Sequence, residues 1–257
     1  MKLLAEMAFV ELQEMDADSV VILPVGAIEA HGPHLPLLTD VIIARGMAAS
    51  GARALLASGF KDVVVAPPFQ LTSAGFAAGF AGTLSLKPET VTALLVDAIL
   101  GLKRAGFAHI LLANAHLDPA HVASLHEGVR LAQEEHGVAV LFPDITRKPW
   151  ALRLTEEFKS GACHAGRFET SIVMAERPDL VRESIRVTLE PNPASLSVAI
   201  KAGKKTFEEA GGPSAYFGFP KDATPEEGRE TLATLGAILA DALVAARPSE
   251  SEKENGA

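Results

Sequence analysis

The chain has 257 residues, enough for one large domain with a substantial core, and its 48% hydrophobic and 21% charged content is that of an ordinary globular protein. A net charge of −9 argues against a nucleic-acid partner, because phosphate recognition needs clustered Lys and Arg, and against docking on an anionic membrane. The single cysteine, Cys163, cannot form an internal disulfide, no apolar run approaches the roughly 20 residues of a membrane span, and residues 1–15 do not read as a signal peptide, so the expected location is the cytoplasm.

In chain order, residues 19–25 (S-V-V-I-L-P-V) form the first predicted strand. It lacks polar alternation, as expected of a parallel strand covered on both faces. A helix is predicted over 41–58, with Thr39 and Asp40 before it and Gly59 after. A strand follows over 62–66, then a helix over 88–105, opened by Pro88 and closed by Gly106. A third strand, 109–113, leads to a helix over 119–136 that Asp118 and Pro119 open and Gly137 ends. A fourth strand is predicted over 138–142 and further helices over 169–176 and 225–246, while the Gly- and Pro-rich stretch 191–225 reads as surface loops. Strands alternating with helices imply right-handed βαβ units. The expected fold is α/β, a single-domain α-β-α sandwich with a mostly parallel sheet over residues 1–246. A polar tail, expected to be disordered, spans 247–257.

Potential ligands are densest after the first strand, in P-V-G-A-I-E-A-H-G-P-H-L-P-L-L-T-D over residues 24–40. Glu29, His31, His34 and Asp40 lie on this Gly- and Pro-punctuated loop, and an extended backbone points Glu29 and His31 to one side. The third strand ends in A-N-A-H-L-D, which brings His116 and Asp118 to the same edge. Open α/β sheets place their ligand sites at the carboxyl ends of the strands. Imidazole and carboxylate donors together suit zinc, manganese or iron. Asp40 and Asp118 also fit as plain helix caps, and His34 as a hydrogen-bonded loop histidine. His121, His126 and His136 fall on the third helix and are expected to face solvent.

The 24–40 segment resembles the signature of the creatininase (creatinine amidohydrolase) family, close to P-x-G-S-x-E-Q-H-G-P-H-L-P-x-x-x-D. Further segments resemble the family in the expected order. They are F-A-G-T-L-S-L at 80–86, A-N-A-H at 113–116, H-A-G-R-F-E-T-S at 164–171 and D-A-T-P-E-E-G at 222–228. The resemblance implies a metal-dependent hydrolase of a small non-peptide amide C–N bond, cyclic amide or formamide, in which a metal-activated hydroxide attacks the carbonyl. Two divalent ions per chain are implied, with Glu29, Asp40 and His116 on one and His31 on the other, and Asp40 shared. The sixth ligand is either Asp118, two residues after His116, or Glu169 of E-T-S. Of these Glu169 is favoured, because it keeps the longer side chain and Asp118 also suits a cap. His164 matches a histidine implicated in proton transfer, the catalytic assignment here. Family members are typically homohexamers, an expectation with which the apolar 74–81 segment is compatible.

Departures from the family pattern concern the substrate pocket. Ala115 replaces the glycine of N-G-H, and Arg167 replaces a common Glu. Residues 73–80 read S-A-G-F-A-A-G-F where relatives often carry S-x-E-H-x-x-F. Arg167 suits a substrate-anion clamp or a plain surface role, and Trp150 a pocket wall or a packed aromatic. The small-molecule substrate is therefore open, with a peptidase for a short modified peptide and a non-catalytic metal-binding subunit as the rival readings.

Overall fold

The computed structural model describes residues 1–247; the remainder of the expected tail lies outside the described residues. In chain order it contains β1 (Lys2–Leu3), α1 (Phe9–Gln13), β2 (Val20–Val25), α2 (Thr39–Ala57), β3 (Val63–Val65), α3 (Pro88–Arg104), β4 (His109–Asn114) and α4 (Pro119–His136). There follow α5 (Glu156–Ser160), α6 (Arg167–Glu176), α7 (Glu183–Arg186), α8 (Leu196–Lys201) and α9 (Pro225–Ala246). The strands form one parallel sheet in the order β1-β3-β2-β4, with Val20 opposite Val63 and His109. Among the described residues no helix is long and apolar enough to cross a membrane.

Successive residues of β2 and β4 serve opposite layers, which is why these strands are apolar without interruption. Val20, Ile22, Leu111 and Ala113 pack with Ile43 and Met47 of α2, Ile172 of α6 and Leu235 and Leu239 of α9. Val21, Leu23, Ile110 and Leu112 pack on the other face with Leu95 and Ile99 of α3 and Leu125 of α4. The architecture is thus the expected α-β-α sandwich. Each of these buried Val, Ile, Leu and Met side chains contributes about 1.5–3 kcal/mol, and Leu111→Ala, fully buried on β4, would cost about 2–5 kcal/mol.

Two strand expectations need correction. The predicted strand over 138–142 shrinks to one bridge, Leu111 with Leu141. Leu141 does enter the ladder, donating to Ile110 O and accepting from Leu112 N at 2.9 Å each. The next residue in parallel register would be Pro143, which has no N–H to donate, so the ladder stops there. The edge position beside β3 is filled instead by β1, a two-residue strand too short to leave a hydrophobic signature in the sequence. Within the expected loop region 191–225, α8 adds a short helix capped by the Ser195 hydroxyl.

Candidate metal centre

The site lies at the carboxyl end of β2 and β4. Gly26 follows β2, and a Cβ there would come within 2.7 Å of the backbone of Asp40 and Val41. Its missing side chain lets the first turn of α2 rest on the strand end, and this turn carries Asp40. Asp40 is therefore inside the helix rather than its cap; the N-cap is Leu38, which offers no side-chain bond. The loop between is closed by Glu29 N donating to Leu37 O at 3.1 Å. His116 leaves the end of β4, where the Asn114 amide donates to His116 O at 2.7 Å. Glu169 is in the first turn of α6, and its carboxylate accepts from Ala165 N at 2.7 Å. Ala165 itself stands at φ +50°, a conformation that costs an alanine about 1–2 kcal/mol.

These elements bring Glu29, His31, Asp40, His116, His164 and Glu169 together, all buried. Three overlapping sets of donor atoms each lie within 4.8 Å of one another: Glu29, Asp40 and His116; His31, Asp40 and Glu169; and Glu29, His31 and His164. The two oxygens of Asp40 divide between the first two sets. Oδ1 is 3.1 Å from His31 Nε2 and Oδ2 is 3.0 Å from His116 Nδ1.

Backbone carbonyls decide the histidine tautomers, because a carbonyl oxygen can only accept. His31 Nδ1 donates to Glu29 O at 3.1 Å, His116 Nε2 to Ser73 O at 2.7 Å and His164 Nε2 to Ala30 O at 3.0 Å. In the neutral form the other nitrogen of each ring presents a lone pair to the carboxylates. Lone pairs then face carboxylate oxygens, and Glu29 Oε2 and Asp40 Oδ2 are buried without a hydrogen-bond partner. Such a set needs cations or extra protons between its members, and it fits divalent ions with nitrogen and oxygen donors. Without ions, protons must take their place. Burial lowers the His31 pKa, but Asp40, Glu169 and Glu29 outweigh it and raise it to about 10. His116 is likewise raised, by Glu29 and Asp40 against burial. Burial, together with the Asp40 and Glu29 charges, pushes Glu169 up to about 8 against the pull of His31 and the Ala165 amide. Asp40 is held far below the ordinary range by His31 and His116 despite its burial.

The remaining sequence candidates separate clearly. Asp118 is the N-cap of α4, accepting from Ala120 N and His121 N, and its second oxygen accepts from Phe76 N at 3.1 Å. It belongs to none of the three donor sets. His34 is buried beside them, with Nε2 2.9 Å from the Thr170 hydroxyl. Arg167 pairs with Glu227 on the surface, and Trp150 packs against the core with the Arg153 guanidinium 5.9 Å from its ring.

His121 is a correction: it is fully buried rather than solvated, with Nε2 2.9 Å from Asn114 Oδ1 and its ring 4.8 Å from that of His116. His126 is half-buried against Asp144 at 2.8 Å, and only His136 is exposed as expected. The burial of His121 was readable, since it begins the apolar stripe continued by Leu125, Gly128 and Ala132 on α4. Phe207 left no such signal. Its ring centroid lies 4.2 Å from that of His164, which also packs against the His31 ring at 4.4 Å, both pairs tilted.

A parallel α/β sheet with a buried carboxylate–imidazole cluster at its carboxyl edge places the chain among α/β proteins that carry their ligand site at the strand ends. The chain belongs to the creatininase family (creatinine amidohydrolase), whose model matches residues 5–243. It is 29% identical to a mycofactocin precursor peptide peptidase of Mycolicibacterium smegmatis over 90% of this chain and 87% of that protein. It is 31% identical to a creatinine amidohydrolase of Pseudomonas putida over 64% of this chain and 66% of that protein. Among solved structures, a mutant creatininase of Zn-Zn type superposes with a TM-score of 0.75 at 27% identity, covering 96% of this chain and 98% of that one.

Proposed function

We propose that this creatininase-family amidohydrolase hydrolyses an amide C–N bond at a centre of two divalent ions, zinc, manganese or iron. Glu29, Asp40 and His116 would hold one ion, and His31, Asp40 and Glu169 the other. The observation that carries this reading is the division of the two Asp40 oxygens between two donor sets. When bound, such ions supply Lewis acidity toward a carbonyl oxygen and acidify a coordinated water.

The protein's own part centres on His164. Its Nε2–H is held by Ala30 O, so the basic atom is Nδ1, which faces the cluster 3.8 Å from Glu29 Oε1. His164 Nδ1 would take a proton from the attacking water and return it to the departing nitrogen, which leaves poorly without one. The flanking rings of His31 and Phe207 keep the imidazole in this orientation. Glu29 and Glu169 would balance positive charge at the two ions.

Of the two substrate classes expected from the sequence, the second now has the better support, a peptide bond in a short modified peptide. The peptidase relative matches over a larger share of both chains than the creatinine amidohydrolase does. Asp118, the alternative ligand expected from the sequence, caps α4. The assembly proposed with this activity is a homohexamer, and light scattering that reads a monomer at micromolar concentration would contradict it.

The test is a substrate panel of short peptides, formamides, cyclic amides and creatinine, read by mass spectrometry with and without chelator. Cleavage of peptides that chelation stops and added zinc or manganese restores is expected. Cleavage of cyclic amides or formamides alone would return the function to the small-amide class. Full activity in metal-free protein would end the proposal.

A further inference from the structure

The turn over residues 164–169 carries both His164 and Glu169, yet its own residues do little to secure it. The N-cap of α6 is Gly166, which has no side chain to bind the first-turn amides. The preceding residue, Ala165, is in the left-handed region, and its amide is the one that orients the Glu169 carboxylate. The first-turn amides are instead satisfied from another helix. Glu157 of α5 accepts from Arg167 N at 3.0 Å and Phe168 N at 2.6 Å, and also from Phe219 N at 2.7 Å. The loop through Phe219 is in turn joined to the site, since Phe217 N donates to His164 O at 2.8 Å.

The surrounding chain packs closely on this carboxylate and on the backbone beside it. A Cβ at Gly218 would stand 2.2 Å from both Ala162 O and Glu157 Oε1, and one at Gly166 would stand 2.6 Å from Phe217 O and 2.9 Å from both Glu157 oxygens. Burial raises the Glu157 pKa, and Glu227 adds to this, against the three amides that lower it. The fold thus keeps a carboxylate where burial disfavours its charge, and what it gains is a fixed start for α6. We propose that Glu157 is a positioning residue for the metal centre, serving as the missing cap of α6 and thereby setting the place of the Glu169 carboxylate. This inference rests on the reading of Glu169 as a ligand.

Its consequence is selective. The ion held through Glu169 depends on the α6 turn, whereas the ion of Glu29, Asp40 and His116 is built on the ends of β2 and β4 and the start of α2. Glu157→Gln keeps the size of the side chain but sets an NH2 group against backbone donors. Titration of the purified variant with zinc or manganese alone should show one ion per chain bound as in the wild type and the other weakened about 10–100-fold, the range typical of partners that orient a metal ligand. Adding His116→Ala should abolish the ion that remains. Glu157→Asp, which restores the charge one methylene short, should fall between Gln and wild type. Equal weakening of both ions, or loss of the folded circular-dichroism spectrum in Glu157→Gln, would assign Glu157 to the whole fold and overturn the proposal. Glu169→Gln run in parallel separates the two ideas. If it keeps both ions, the ligand reading fails; if it loses one while Glu157→Gln keeps both, the positioning proposal alone fails.

Discussion

Asp118 stands at the N-cap of α4 and Glu169 three residues past the N-cap of its own helix, in the first turn of α6. Both are carboxylates at helix starts near the same edge of the sheet, where the dipole favours a negative charge. Asp118 folds back on its own helix and on Phe76 N, so its oxygens already have backbone donors. Glu169 has one backbone donor, Ala165 N, and its Oε2 also lies 3.5 Å from His31 Nε2. Three positions along the helix thus separate a capping carboxylate from one turned into a buried cluster. The cap of α6 is delegated to Glu157, which leaves Glu169 free for the site.

Substitutions can break this comparison or sharpen it. The largest effect is expected at the first turn of α2, since Asp40→Ala removes the carboxylate common to both donor sets. Elemental analysis should find neither ion, and turnover should fall to the detection limit; retention of one full equivalent would show that Asp40 does not bridge. His164→Ala comes next, with a loss of about 10²–10⁴-fold in kcat while both ions stay bound. If His164→Ala strips an ion, His164 belongs with the ligands, as its place in the third donor set allows.

Glu169→Gln should cost one ion by more than the roughly 10–100-fold typical of outer partners, leaving the other in place. The smallest effect is expected for Asp118→Asn. Asn can keep the cap through one oxygen but turns an NH2 group toward Phe76 N, so the change should cost about 1–3 kcal/mol, read from a denaturant titration, with metal content unchanged. The reverse pattern for these last two, a lost ion in Asp118→Asn and none in Glu169→Gln, would exchange their roles.

Much of this was legible along the chain because the information is local. Apolar runs of the right length located β2, β3 and β4, and proline and glycine punctuation placed α3, α4 and α9 to within a residue. Glu29, His31 and Asp40 were readable because one loop and one helix start present them together. The fourth predicted strand was cut short on both sides of Leu141, by the missing N–H at Pro143 and by Val138 N donating to Ala132 O at the end of α4, details of ladder register that periodicity does not express. His121 was misplaced because a histidine on a mostly polar helix looks solvated until its neighbours on the buried stripe are counted.

By itself, then, the sequence determined the layers of the sandwich, the edge at which chemistry gathers and the donor types found there, since strand pattern, helix punctuation and residue identity are properties of short segments. The sequence favoured Glu169 over Asp118, but which nitrogen of each histidine faces the cluster and what holds α6 in place were decided only by the tertiary structure. Those outcomes depend on partners distant in sequence, such as Ser73 O for His116, Ala30 O for His164 and Glu157 for the amides of Arg167 and Phe168. Hydrogen-bond geometry is satisfied or refused in space, and spacing along the chain carries no record of it.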